Sequence, residues 1–182
     1  MSQVIEQFHR VADGFAARIE ATPVDAWTTP SPCPGWTARE VVEHVVGGIA
    51  GVMASITGRT PEPVTAQTDL AATWRELEQA VTAALSDPET AGRTIQGPLG
   101  EMTLEQAVAR LGTVELLVHT WDLARAVGGD ERLDPDLVRS AFEALRPLDS
   151  MLRTPRAFGP KLEPPEGADE QTEFLCFLGR RV

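Results

Sequence analysis

Lysine is nearly absent from this chain: its 16 basic residues are arginines apart from the single Lys161. Nothing physical asks for arginine over lysine everywhere on a solvated surface, so the bias reads as the mark of GC-rich bacterial coding. Positive charge of any kind is scarce. Against 27 acidic residues the formal net charge is -11, a field that repels phosphate backbones and anionic headgroups, so neither nucleic acid nor a membrane surface is an expected partner. Cysteine is limited to Cys33 and Cys176, too few for a disulfide framework or a zinc ribbon, and reduced thiols are expected. The N-terminus, MSQVIEQFHRVADGF, lacks a basic region followed by an apolar run and a cleavage site, and no apolar stretch reads as long enough to span a bilayer; cytoplasm is the expected location. A glycine-rich phosphate loop, a nucleophile elbow and a Cys-x-x-Cys pair are also missing, which excludes nucleotide hydrolysis and thioredoxin-like chemistry.

What the chain does have is helical periodicity. Its 182 residues, 42% hydrophobic and 24% charged, are ordinary for one globular domain. Val4, Phe8, Val11, Phe15 and Ile19 recur at three- and four-residue steps and predict a helix from about Val4 to Glu20, stopped by Pro23. After a loop rich in Pro, Thr and Ser, Thr37 and Glu40 form a capping box, with Trp36 and Val41 at the positions of a hydrophobic staple. That second helix runs to Gly58. Leu70, Trp74, Leu77, Val81 and Leu85 define a third. The ten residues 59 to 68 between them, extended at about 3.3 Å each, cover about 30 Å, enough to cross the length of a bundle, so the second and third helices are free to run parallel. Turn signals from Asp87 to Met102 leave room for a small hairpin at most. Thr103 and Gln106 form a second capping box ahead of the longest helix, which reaches about Val127 and is ended by Gly128-Gly129. Asp134-Pro135 starts a shorter helix lasting to Pro147, followed by a proline-rich strap over residues 154 to 167 and a short helix around Phe174 to Leu178. The reading is an all-α bundle of one domain, residues 1–182, with its core in about 1–128 and an extension over 129–182.

In the longest helix one face changes character halfway along. Leu104, Val108 and Leu111 give way to Glu115, His119 and Asp122. Glu115 and His119 lie on adjacent turns, about 5 to 6 Å apart at Cβ, close enough to ligate one ion together. A third ligand would have to come from a facing helix, and His44, flanked by Val41, Val42, Val45 and Val46, is the histidine in a buried-looking setting; His9, directly before Arg10, is not. Each residue alone has a plain alternative: a hydrogen-bonded core histidine, or a Glu-His pair on a solvated helix. Their conjunction favours a divalent ion, because burying Glu115 without a cation is costly. Asp122 either holds a ligand histidine's other ring nitrogen or points into the same cavity, and the cavity-facing position, with a catalytic role, is the expectation. Cys33 reads as a small packed hydrophobe rather than a ligand, Trp36 and Trp121 as packing, and Gly47-Gly48 as a site of close helix contact.

PCPGWTAREVVEHVVGG, followed some seventy residues later by VELLVHTWDLARAVG, resembles the metal-binding domain of mycothiol-dependent maleylpyruvate isomerase and its single-domain actinobacterial relatives, within the DinB-like superfamily of four-helix bundles. The resemblance covers nearly the whole chain. It implies His44, Glu115 and His119 as metal ligands and an up-down-down-up bundle with a long crossover. It also implies mycothiol as a cosubstrate. The two-domain isomerases complete their site with a second domain for which this chain has no room, so isomerase activity is not expected. The expectation is a protein that binds a divalent metal, zinc first, with nickel or iron as alternatives. It would act as a thiol-dependent transferase on a small electrophile, with a homodimer compatible with the reading. The alternative is a non-enzymatic metal-binding or dimerisation module.

Overall fold

The computed structural model describes residues 2–97, 100–153 and 158–182. Helix α1 (Gln3–Ala21) buries Phe8, Val11, Phe15 and Ile19 along one stripe, and Ser2 caps it by accepting from the Ile5 amide. Helix α2 (Ala38–Thr57) opens with the expected capping box at Thr37 and Glu40 and ends at Gly58, whose φ of 71° places it in the left-handed region that a side chain resists. Helix α3 (Leu70–Ser86) is capped by Asp69 and buries Leu70, Trp74, Val81 and Leu85. A one-turn helix α4 (Pro88–Ala91) follows. Then comes the small hairpin, β1 (Thr94–Gly97) antiparallel to β2 (Gly100–Thr103), with Ile95 opposite Met102. The second capping box, Thr103 with Gln106, starts α5 (Leu104–Ala107).

The longest helix is interrupted where the sequence read it as continuous. Between α5 and α6 (Thr113–Val127) lies a π-helical turn, Val108–Gly112, in which the Thr113 amide donates to the Val108 carbonyl. A π turn absorbs one extra residue, about 100° of rotation, so the aliphatic half and the ionisable half do not form one straight stripe. Periodicity counted at 3.6 residues has no means of registering that change.

Side-chain clamps fix the helix directions. Arg39, in the first turn of α2, donates to the carbonyls of Thr65 and Thr68 just before α3 begins. Arg93, beyond the end of α3, donates to the carbonyl of Ile56 near the end of α2. The starts of α2 and α3 therefore lie at one end of the bundle and their ends at the other, and residues 58–68 are the long crossover. Arg18, near the end of α1, reaches Asp130 and Arg132 just past α6, so α1 and α6 share a direction. Arg75, in the second turn of α3, pairs with Glu20 at the end of α1, so that direction is opposite to the one α2 and α3 share. Both α1 and α2 pack against α3 and α6. The result is an all-α, up-down-down-up bundle.

One hydrophobic cluster runs through it, with Phe15 edge-on to Trp74 at 5.0 Å between ring centroids. The same cluster takes in helix α7 (Pro135–Leu145), a turn α8 (Asp149–Leu152), and helix α9 (Glu170–Phe177), which is longer than the sequence reading. Residues 154–157 of the expected strap lie outside the described residues. Two expectations need correction. By length and hydropathy α2 is apolar enough to cross a bilayer, although in this fold Val41, Val42, Val45 and Val46 are buried against neighbouring helices. Gly47 and Gly48 make no close helix contact: both are exposed, and a Cβ at either would meet nothing within 4 Å.

Candidate metal centre

The loop before α2 is built to hold its side chains in fixed places. The Ser31 amide donates to the Trp36 carbonyl at 2.8 Å, the Ala38 amide to Thr29 at 2.8 Å, and the Trp36 amide to Cys33 at 3.0 Å. Gly35, at φ 82°, allows the reversal. Trp36 is half-buried and its ring centroid lies 4.7 Å from that of His44 and 6.1 Å from that of His119. The residue expected to staple the helix thus also roofs a pair of histidines.

His44 is not buried. Its four valine neighbours turn inward while its own side chain stays 42% exposed, facing α6. Its Nε2 lies 2.8 Å from Glu115 Oε1, and His119 Nε2 lies 3.3 Å from the same oxygen. Glu115, 41% exposed, and His119, 7% exposed, come from adjacent turns of α6. One donor atom from each of the three residues falls within 4.8 Å of the others. Zinc ligands at about 2.0 to 2.2 Å in a tetrahedron stand roughly 3.4 Å apart, so small side-chain rotations bring these donors to bonding distance.

Behind the triad lies a buried polar layer. His119 Nδ1 is 3.0 Å from Asp122 Oδ2. With Nδ1–H committed there, Nε2 is the nitrogen that faces Glu115 and His44; it donates to the Glu115 carboxylate and would become the ligating atom on losing that proton when an ion binds. On this chemistry of the donor set, two imidazole nitrogens and a carboxylate with one imidazole already oriented, the residues fit a divalent ion. Asp122 is fully buried, which corrects the expectation that it faces the cavity. Its Oδ2 also accepts from Cys33 Sγ at 3.2 Å, and Arg180 donates from Nε to Oδ1 and from Nη2 to Oδ2, each at 2.8 Å. With both oxygens engaged, its carboxylate has a structural task and no contact with the opening.

The charges follow from these contacts. Burial pushes Glu115 upward, but hydrogen bonds from His119 and His44 outweigh it and hold the carboxyl well below its usual range. Burial pushes His119 downward, and its contacts with Asp122, Cys33 and Glu115 reverse this and raise it well above an ordinary histidine. Burial likewise raises Asp122, while Arg180 and His119 bring it down, so it is ionised.

Sequence reasoning missed Arg180 and gave Trp36 and Cys33 only packing roles. The signal for Arg180 was slight: an arginine after Leu178-Gly179 at the end of a helix. His9 stays outside the site, with Nδ1 3.4 Å from Glu78, and Trp121 is buried core.

The family model described as mycothiol maleylpyruvate isomerase N-terminal domain matches residues 8–124, a span that includes most of α1, all of α2 and α3, and all three ligand candidates. The chain belongs to that family. It is also 31% identical, over 175 residues and 95% of both chains, to uncharacterised proteins from two strains of Mycobacterium tuberculosis. No solved structure matches it significantly. Membership makes this a helical domain of a mycothiol-related, metal-binding family, and the described residues contain a ligand group suited to that chemistry.

Proposed function

We propose that His44, Glu115 and His119 hold one divalent ion, zinc in the first place with nickel or iron as alternatives, and that the protein is a cytoplasmic, small-thiol-dependent transferase using mycothiol. The observation that carries this reading is the commitment of His119 Nδ1 to Asp122 at 3.0 Å, which leaves Nε2 facing the two other donors. Bound by these three residues, a divalent ion would supply a positive charge that favours the thiolate of a small thiol over the thiol. The remaining work belongs to the chain. Glu115 supplies the one negative charge among the ligands, His44 and His119 set the spacing of the donors, and Trp36 covers one side and limits water there. Asp122 positions His119 and touches no substrate.

Titration with mycothiol and with its S-methyl derivative tests the proposal, followed by assays against model electrophiles. The free thiol should bind to the zinc-loaded protein at least tenfold more tightly than the blocked one, and the electrophile should be consumed. Equal binding with no consumption contradicts the transferase reading. A second reading, a structural or dimerisation module, draws on one feature: Glu115 Oε1 lies within 3.3 Å of both imidazoles, an ion-pair cluster that protein groups alone satisfy. It predicts that the cluster stabilises the fold equally with and without added zinc.

A further inference from the structure

The described residues offer several places where chemistry could sit. The cavity between α1 and α6 is lined by Arg18 and Asp134, which already have ion-pair partners. Cys33 has its sulfur between Asp122 and a guanidinium. The exposed glycines of α2 are a small-residue surface with nothing against them. The contact that extends furthest is the one made by Arg180, because it joins the chain's last residues to the innermost layer of the candidate site.

Three observations bear on it. First, the backbone is constructed to deliver Arg180 to one place. Helix α9 ends with Leu178 donating to Phe174 at 3.0 Å, Gly179 to Cys176 at 2.9 Å and Arg180 to Leu175 at 2.9 Å. Gly179 has φ 81°, and a Cβ there would come within 3.0 Å of the Pro160 carbonyl oxygen, so both the turn and the strap passing against it demand glycine. Phe174, Leu175 and Leu178 are fully buried and anchor the turn in the same core as the bundle. Second, the Arg180 side chain is 14% exposed and grips Asp122 with a two-pronged pair, Nε to Oδ1 and Nη2 to Oδ2, the geometry that fixes a carboxylate in orientation as well as charge. Third, Asp122 Oδ2, so fixed, is the atom that receives His119 Nδ1–H.

We infer that Arg180 is a positioning residue for the metal centre: the C-terminal extension reaches back through Asp122 to set the ring of His119. This rests on the proposed function for its metal-binding consequence, though not for the contact itself. The matched family span ends at residue 124, so Arg180 acts from outside it. The extension is thereby a component of the site and not only a cover for α6.

The test uses the full chain with Arg180→Ala, Arg180→Lys and, as reference, Asp122→Asn. One arm measures zinc affinity by competition with a chromophoric chelator. The other follows the low-field, exchange-protected Nδ1–H proton of His119 in metal-free, nitrogen-15-labelled protein, a signal that a purely structural loss elsewhere would not move. Arg180→Ala, like the Asp122→Asn reference, should weaken zinc binding about 10- to 100-fold and abolish the protected resonance, and Arg180→Lys should restore part of both. If Arg180→Ala fails to fold, Arg180→Lys carries the test, with an intermediate loss in both readouts expected. Zinc affinity within twofold of the wild type together with an unchanged Nδ1–H resonance in the folded variant overturns the inference. If the wild type itself binds no zinc, the proposed function fails while the resonance arm still decides the role of Arg180.

Discussion

Trp36 shows how one side chain can serve two levels of structure. It closes a tight loop through backbone bonds to Ser31 and Cys33, and it lays its ring over His44 at 4.7 Å. A ligand arriving at the triad therefore changes the surroundings of this indole more than those of Trp74 or Trp121, both buried in the core. Zinc added to the apoprotein should alter tryptophan emission. Trp36→Phe should remove most of that change while Trp74→Phe, in the core against Phe15, leaves it intact, and Trp36→Ala should weaken zinc binding by about tenfold through loss of the covering ring. An emission change that survives Trp36→Phe would place the ion elsewhere. At this scale the sequence was informative about ligand types and poor about their surroundings. His44, Glu115 and His119 could be singled out because ionisable groups interrupting an apolar pattern are costly. The valines around His44 suggested burial, yet a helix turns its sides to different environments, and His44 occupies the open one. Asp122 and Arg180 could not be paired by any local rule, since 58 residues separate them.

Among the elements, helix starts were the most legible features because their chemistry is local. Thr37 accepts from the Glu40 amide while its own amide donates to Glu40 Oε2 at 2.7 Å, reciprocal bonds that need only a four-residue motif. Thr37→Ala should cost about 1 kcal/mol in denaturant unfolding, with little effect on zinc stoichiometry. Asp169 caps α9 by accepting from the Thr172 amide at 2.8 Å. The Thr172 hydroxyl and amide hold its carboxyl below the ordinary aspartate range. A carboxyl depressed in the folded state contributes stability above its unfolded pKa and loses it as pH falls through the folded one. The amides of α9 should therefore exchange faster on acidification below about pH 4 than at neutrality, after correction for intrinsic rates. Asp169→Asn, which still caps, should flatten that dependence. The π turn at Val108–Gly112 was invisible for the opposite reason: no side-chain cap marks it, and a 3.6-residue period does not register an extra residue.

In the whole molecule, the two arginine clamps on α2 and α3 establish the crossover that brings His44 opposite α6. Had the second connection been a short turn, α2 and α3 would run antiparallel, so the length of the 59–68 segment was the sequence's best clue to topology. The contribution of the C-terminal extension to the site was not legible, because it depends on α9 docking in the bundle core and on one glycine turn at its end. The central claim, that the bundle binds one divalent ion through His44, Glu115 and His119, can be tested most directly by elemental analysis of protein purified without an affinity tag. The wild type, reloaded with zinc and desalted, should carry about one ion per chain, and His44→Ala and His119→Ala, still helical, should each carry almost none. A wild type that retains no metal after reloading, or variants that retain the same stoichiometry as the wild type, would contradict the claim.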